Sequence, residues 1–136
     1  MLIIHKKCIH GVAGSGDCVQ RMMNEFLQVG PPMSMRDMRM VPKSDIYETG
    51  ESLQIYIELP GVDERDVQIA FDEEHAVLAV YGRRGNPICD GRRRILQKEM
   101  VTGQFEKLLQ IHGPVDADGI TAALKQGILS VILPKA

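Results

Sequence analysis

Residues 53–61 read LQIYIELPG. Apolar side chains occupy every second position from Leu53 to Leu59, and Gln, Tyr and Glu lie between them. A period of two is typical of a β-strand that buries one face and exposes the other. Pro60 and Gly61 then end the strand, because proline lacks a backbone N–H and both residues favour a turn.

Candidate strands of the same kind recur on both sides of this stretch at near-regular intervals. They are short, and turn-forming residues separate them without an intervening helical pattern. This arrangement predicts an all-β domain, an immunoglobulin-like antiparallel β-sandwich. The additional candidate strands cover residues 46–48, 67–71, 76–81, 104–111, 120–124 and 128–133.

The size and composition of the chain suit one globular domain with an arm. A chain of 136 residues is too short for two independent cores, and 44% hydrophobic with 25% charged residues is typical of globular proteins. No apolar stretch reaches the ~20 residues that cross a bilayer, so we predict no membrane partner. The cysteines, Cys8, Cys18 and Cys89, are odd in number and widely spaced, unlike those of disulfide-rich secreted domains. We therefore predict a cytoplasmic protein with reduced thiols.

The first 42 residues differ in composition from the remainder. Seven of the eight methionines fall in the first 40 residues. Apolar side chains at helical spacing predict a short amphipathic helix over residues 18–28. These side chains are Val19, Met22, Met23, Phe26 and Leu27. The Met-rich stretch that follows has no clear period and is interpreted as a mobile linker. We therefore divide the chain into a partly helical, flexible N-terminal arm, residues 1–42, and a β-domain, residues 43–135.

Four blocks of the β-domain resemble the α-crystallin domain of the small heat shock protein family. The first block includes the strand that ends in Leu-Pro-Gly, and the second includes two strands that close at Gly82 and Arg83. The third contains the pattern Gly-x-Phe-x-Lys. The fourth runs from Ala122 through Gly-Ile-Leu to a terminal Pro-Lys. The blocks cover residues 45–48 with 58–62, 66–83, 99–107 and 122–135. Because they occur in the family's order, the chain resembles a bacterial or plant-type member, whose domain carries a β-strand exchange loop.

Three of the departures from the family pattern bear on the turns, the charges and the assembly of the chain. Gln126 replaces the asparagine before Gly127, which makes the hairpin turn costlier because asparagine tolerates a left-handed backbone better. Lys107 replaces an arginine, and we interpret it as one partner of a structural ion pair. The C-terminal extension with its Ile-x-Ile anchor is essentially absent. Leu2 and Ile4 have the spacing to replace that anchor, and an unused terminus is the alternative.

The resemblance implies an ATP-independent chaperone, a holdase, that binds partly unfolded proteins and limits their aggregation. It implies no enzymatic activity, no cofactor and no metal, and it leaves ATP-driven chaperones as possible downstream partners. The clients are expected to bind flexible, polarisable side chains of the arm. The candidate client-binding residues are Met22, Met23, Phe26, Leu27, Met33, Met35, Met38 and Met40.

The resemblance also implies a homodimer or small homo-oligomer. In such a dimer a strand of the loop after Gly82, about residues 93–100, pairs with the partner's strand near Asp45. The candidate interface residues are Asp45, Ile46, Tyr47, Glu48, Arg94, Ile95, Leu96, Lys98, Glu99 and Lys107. A groove that receives an apolar anchor in the family is expected at Val67, Ile69, Phe71, Ile120, Ala122 and Leu124.

The sequence leaves three alternatives to the holdase function. A co-chaperone of the CS-domain type, docking on one folded partner, keeps the fold and is the principal alternative. A metal site is possible at His5, Cys8, His10 and Cys18, but their spacing favours a loose tail with incidental ligands. The arginines at 83–84 and 92–94 lack interleaved aromatic residues, so we predict a solvated loop and no nucleic acid. Cys89 lies in this basic loop and is interpreted as an exposed thiol, with redox activity left open.

Overall fold

The computed structural model describes residues 4–6, 40–85 and 91–136. The helix predicted over residues 18–28, most of the Met-rich linker, and the three cysteines lie outside these residues. The described part contains eight strands and two short 3₁₀ helices, Glu64–Asp66 and Ala117–Gly119. The strands are β1 (Ile4–Lys6), β2 (Ser44–Glu48), β3 (Ser52–Glu58), β4 (Val67–Asp72), β5 (Val77–Arg84), β6 (Gly103–Gln110), β7 (Thr121–Lys125) and β8 (Ile128–Pro134).

The strands form two four-stranded sheets. One sheet has the order β1-β4-β5-β6 and the other the order β2-β3-β8-β7. All the pairs are antiparallel except β1 with β4, which run parallel. The predicted antiparallel β-sandwich is therefore confirmed, with one parallel strand added at the edge of the first sheet.

The core lies between the inner faces of the two sheets. Every second residue of β3, namely Leu53, Ile55 and Ile57, is buried, as the period of two predicts. Across the sandwich, Val80 of β5 and Phe105 of β6 are fully buried in the same cluster. Each such side chain contributes about 1.5–3 kcal/mol relative to leaving it in water. The apolar residues that alternate in the sequence therefore form the buried core that stabilises the sandwich.

Two glycines are required by their surroundings. A Cβ atom at Gly82 would lie 1.9 Å from the carbonyl oxygen of Asp66 and 2.9 Å from Cζ of Phe105, so no other residue fits. Gly127 has a φ of 77° and follows Gln126, whose φ is 51°. Two consecutive positive φ angles are typical of the tight turn that joins two antiparallel strands. Gly82 therefore permits close packing, whereas Gly127 permits the β7–β8 turn.

The observed strands extend beyond the predicted ones where long-range pairing supplies the hydrogen bonds. β5 continues three residues past Tyr81, since Arg84 pairs with Gly103 of β6. β2 begins at Ser44, which pairs with Ile57 of β3. The local sequence pattern predicted that these strands stop at turn-forming or polar residues. It missed the added residues because their pairing partners are distant in sequence.

Candidate dimer and client-binding surfaces

β2 forms an edge of the second sheet and presents apolar side chains to solvent. It pairs with β3 through one edge, and among the described residues no strand pairs with its other edge. Ile46 and Tyr47 of β2 are exposed. The ring of Tyr47 lies edge-on to that of Tyr56, with centroids 5.8 Å apart, which orients the Tyr47 side chain. An open edge with exposed apolar side chains is suited to the addition of another strand.

An ion pair holds the end of β2 to the residue that follows β8. Nζ of Lys135 lies 2.8 Å from Oε1 of Glu48. The hydrogen bond from Lys135, together with its positive charge, lowers the pKa of the Glu48 carboxyl below its ordinary value. Because the Glu48 side chain is largely exposed, this contact orients the end of the strand more than it stabilises the fold.

The loop between β5 and β6 carries the other predicted half of the dimer interface. Residues 91–100 form no strand in the single chain. The side chains of Leu96 and Ile95 are 82% and 69% exposed, and Met100 is also exposed. Two hydrogen bonds of the loop are local, from Gln97 Nε2 to Glu99 Oε1 (2.7 Å) and from Lys98 Nζ to the Met100 carbonyl (3.2 Å). The loop follows a strand of the first sheet, whereas β2 belongs to the second.

Arg84 fastens the two ends of this loop, a role that sequence reasoning missed. Its Nε donates to the carbonyl oxygen of Val101 (2.9 Å), and a terminal nitrogen donates to the same oxygen. The other terminal nitrogen donates to the carbonyl oxygen of Pro60 (3.2 Å). The planar guanidinium suits such forked donation. The sequence placed Arg84 in a solvated basic patch, although its position at the corner after Gly82 was a signal of a structural role.

Lys107 lies half-buried on β6, between the buried side chains of Phe105 and Leu109. It pairs with Val80 of β5 in the ladder. The ion pairs found among the described residues do not include Lys107. The structural ion pair expected from the sequence is therefore not formed within the described part of a single chain.

The six predicted groove residues come together in one cluster. Val67, Ile69 and Phe71 of β4 are buried, as is Ile120, while Ala122 and Leu124 of β7 are half-buried. β4 and β7 belong to different sheets, so the predicted groove would lie between an edge of one sheet and an edge of the other.

The backbone of β1 occupies the outer edge of β4. Ile4 pairs with Ile69, and Lys6 pairs with Phe71. The segment in which the sequence suggested an anchor thus reaches the edge of the predicted groove. Leu2, the other half of the suggested anchor, lies outside the described residues.

The family of the chain follows from comparison with known proteins. Residues 45–136 match the sequence profile described as the Hsp20/alpha crystallin family. The chain belongs to this family. The resemblance inferred from the four sequence blocks is confirmed, and the chain is an ATP-independent chaperone of the small heat shock protein type. No comparison favours the co-chaperone alternative.

Relatives of this small heat shock protein share both sequence and structure with it. The probable 15 kDa heat shock protein of Leptospira interrogans is 31% identical over 96 residues, which is 71% of this chain and 71% of that protein. The solved structure of heat shock protein 16.0 from Schizosaccharomyces pombe has a TM-score of 0.66 at 30% identity, covering 72% of this chain and 89% of that one. The hspA structure from Xanthomonas axonopodis has a TM-score of 0.62 at 31% identity, covering 71% and 95%.

Most candidate client-binding residues of this small heat shock protein lie outside the described residues. These are Met22, Met23, Phe26, Leu27, Met33, Met35 and Met38. Met40 is described: it is half-buried, forms a bridge with Phe105 and packs against the core. In the single chain Met40 therefore contacts the β-domain.

Metal ligands and membrane-spanning helices are the remaining features to consider in the described residues. These residues contain no cluster of three or more His, Cys, Asp or Glu side chains that could hold a metal ion. The side chains of the alternative ligand set, His5, Cys8, His10 and Cys18, lie outside the description, as does Cys89. No described helix has the length and apolar character needed to span a membrane.

Proposed function

We propose that this small heat shock protein works in the cytoplasm as a strand-exchanged homodimer or small homo-oligomer. Its arm, residues 1–42, would hold partly unfolded proteins, and its β-domain, residues 43–135, would provide the dimer. The observation that carries the proposal is the open edge of β2 combined with an exposed apolar loop from the opposite sheet.

The dimer satisfies two needs of the single chain at once. The β2 edge has backbone N–H and C=O groups available for pairing, and the loop residues 93–100 form no strand in the single chain. Adding the loop of one subunit to β2 of the other pairs these groups. It also buries Ile46, Ile95 and Leu96, which are exposed in the single chain.

The same dimer supplies a place for Lys107. A lysine among core-facing positions requires a carboxylate or a route to solvent. Since the described part of the chain offers it no ion pair, a carboxylate of the second subunit is the proposed partner. Lys107 would then stabilise the assembly and not the isolated fold.

Holding clients is a competition for apolar surface. Partly unfolded proteins expose apolar side chains and unpaired strand edges that otherwise associate with each other. A methionine-rich arm offers them a soluble alternative, because methionine side chains are flexible and repack around different partners. No nucleotide or bond-making step is required, so the protein would act without enzymatic activity and hand clients to ATP-driven chaperones.

The test is suppression of aggregation. Several unrelated proteins are heated with the purified full chain, without nucleotide, and light scattering is followed. We expect suppression of each of them at a near-stoichiometric ratio, whereas serum albumin at equal mass serves as the control for crowding. Protection of one client only, with no effect on the others, would indicate a specific adaptor and contradict the proposal.

A further inference from the structure

The open edge of the second sheet carries a negative charge. Residues 43–51, which contain β2 and the residues that flank it, hold one lysine and three carboxylates, so their formal net charge is −2. The carboxylates belong to the exposed residues Asp45, Glu48 and Glu51. We call residues 43–51 the acidic edge. A strand that adds to β2 must therefore approach a negatively charged surface.

The loop between β5 and β6 carries the opposite charge. Residues 91–100 hold four cations and one carboxylate, so their formal net charge is +3. The cations belong to the exposed residues Arg92, Arg93, Arg94 and Lys98. We call residues 91–100 the basic loop. Since Ile95 and Leu96 of this loop are also exposed, it combines positive charge with apolar side chains.

The total charge of the chain does not account for an attraction between copies. Each copy has a formal net charge of −2 at pH 7, so two copies repel each other as whole molecules. Attraction arises only where the acidic edge of one copy faces the basic loop of the other. The local charges therefore favour one mutual orientation of two copies.

The charges match on both faces of the strand that would form. Asp45 and Glu48 point to opposite faces of β2, because they are three positions apart and neighbouring residues of a strand alternate. In an extended basic loop the neighbours Arg93 and Arg94 would also point to opposite faces. Each carboxylate of β2 would then have an arginine on its own face, whichever face of the loop turns towards the core.

Contacts within the chain leave the acidic edge negative. The Asp45 carboxylate accepts a hydrogen bond from the Tyr47 hydroxyl (3.4 Å), a neutral donor that leaves the charge in place. Glu48 pairs with Lys135, and adding the charge of this lysine to that of the acidic edge gives −1. A carboxylate can accept hydrogen bonds from more than one donor, so Glu48 can have a second cation as partner. Asp45 is the carboxylate that we expect to contribute most.

We propose that the opposite charges of the acidic edge and the basic loop select a second copy of this chain as the dimer partner and make the dimer sensitive to ionic strength. The inference rests on the exchanged dimer of the proposed function. Complementary charges speed association, and like charges exclude wrong partners. In a symmetric dimer the same contact occurs twice, so each charge acts twice.

Charge reversal in the full chain tests the proposal. The edge variant carries Asp45→Lys with Glu48→Lys, and the loop variant carries Arg94→Glu with Lys98→Glu. In each variant the edge and the loop have the same sign, so we expect the dissociation constant of its homodimer to rise at least about tenfold. Sedimentation equilibrium measures it, after circular dichroism has shown a β-type spectrum. Asp45→Lys alone, which keeps the contact of Glu48 with Lys135, should weaken the dimer in the same direction.

Mixing the two variants should restore the dimer. In a heterodimer the edge of each variant faces a loop of opposite sign, at both contacts. We expect native mass spectrometry of the equimolar mixture to show the heterodimer in excess over both homodimers. This recovery would also show that both variants are folded.

The unchanged chain and a matched control complete the experiment. Raising sodium chloride from about 50 mM to about 500 mM should weaken the dimer of the unchanged chain several-fold, because salt screens exposed charges. Glu73→Lys with Glu74→Lys changes the net charge as much as the edge variant does, but in the turn between β4 and β5. We expect this control to dimerise like the unchanged chain.

The outcomes separate this proposal from the exchanged dimer on which it rests. Variant homodimers as tight as that of the unchanged chain, or a mixture without heterodimers, would overturn the selection by charge. If charge reversal has no effect but deletion of residues 92–98 gives monomers, the exchanged strand stands and only the role of the charges is wrong. An unchanged chain that is monomeric at low salt would contradict both.

Discussion

Gln126 shows how one residue can keep a fold and still weaken it. Its φ of 51° and the φ of 77° at Gly127 place both central residues of the β7–β8 turn in the left-handed region. Glycine adopts this region freely, whereas a glutamine pays for it and has a side chain too long to offset the strain locally. The replacement of asparagine by Gln126 therefore falls at a position whose positive φ disfavours most side chains.

Replacing Gln126 by asparagine should stabilise the β-domain. Asparagine is several times more common than glutamine at positive φ, and we expect a gain of about 0.5–1 kcal/mol in the free energy of unfolding. Urea denaturation followed by circular dichroism measures it. The control is Gln68→Asn, an exposed position of β4 without a positive φ, where no gain is expected. A loss of stability at position 126 would show that the turn does not limit the hairpin.

At the scale of elements, the two sheets have differently occupied strand edges. β2 is an open edge, whereas β4 has its outer edge occupied by β1. The loop fastened by Arg84 projects Leu96 and Ile95 from the end of the first sheet. Exposed edges favour pairing with another chain, and the dimer that we propose uses β2 and this loop for that reason.

Deleting residues 92–98 should convert the dimer to monomers. The deletion removes the strand that we propose to pair with β2 of the partner, but it leaves the Arg84 contacts with Val101 and Pro60 in place. Multi-angle light scattering measures the mass. Ile128→Asp, at an exposed aliphatic position outside the proposed interface, is the control and should remain dimeric. A dimer that survives the deletion would rule out the exchanged strand.

Changing Leu2 and Ile4 together to serine should loosen assembly beyond the dimer. The backbone of Ile4 pairs with Ile69 at the groove edge, and each large aliphatic side chain buried in the groove would contribute ~1.5–3 kcal/mol. Native mass spectrometry should show a shift from small oligomers towards dimers. Ile3→Ser removes an aliphatic side chain from the alternate position and serves as the control. An unchanged distribution of oligomers in the double variant would contradict the role of Leu2 and Ile4 as an anchor. A large closed shell in the wild type would contradict the prediction of small assemblies.

At the scale of the whole molecule, the buried core and the proposed client-binding residues lie in different parts of the chain. All the buried residues of the core cluster lie between Leu53 and Leu133. Met40 packs against that cluster from outside and is only half-buried. The β-domain therefore contains its own core, and the proposed client-binding side chains all belong to the arm.

Removing residues 1–41 should leave a folded β-rich protein with poor holdase activity. The core is intact in this truncation, so we expect a β-type circular dichroism spectrum and a cooperative thermal transition. We expect most of the suppression of client aggregation to be lost, because the methionine-rich segment is gone. Removal of residues 1–6 alone retains residues 18–28 and should preserve protection. Full protection of clients by the chain that lacks residues 1–41 would contradict the prediction and indicate that clients bind the β-domain.

The sequence by itself determined the strands and the family. The alternation from Leu53 to Leu59 and the stop at Pro60 are local properties, since a strand that buries one face needs an apolar residue at every second position. The four family blocks likewise depend on residue types and spacing, and the profile match to residues 45–136 confirmed them. The six groove residues and the β2 interface residues follow from the resemblance to the family and not from the alternation, and their roles stay predictions.

The tertiary structure alone decided the contacts between distant segments. Arg84 donates to Pro60, 24 positions earlier, and Gly82 is required because the carbonyl oxygen of Asp66 lies against it. β1 pairs in parallel with β4 although more than sixty residues separate Ile4 from its partner Ile69. No local period encodes such partners, because they depend on which backbone groups and apolar faces remain unsatisfied once the two sheets have packed.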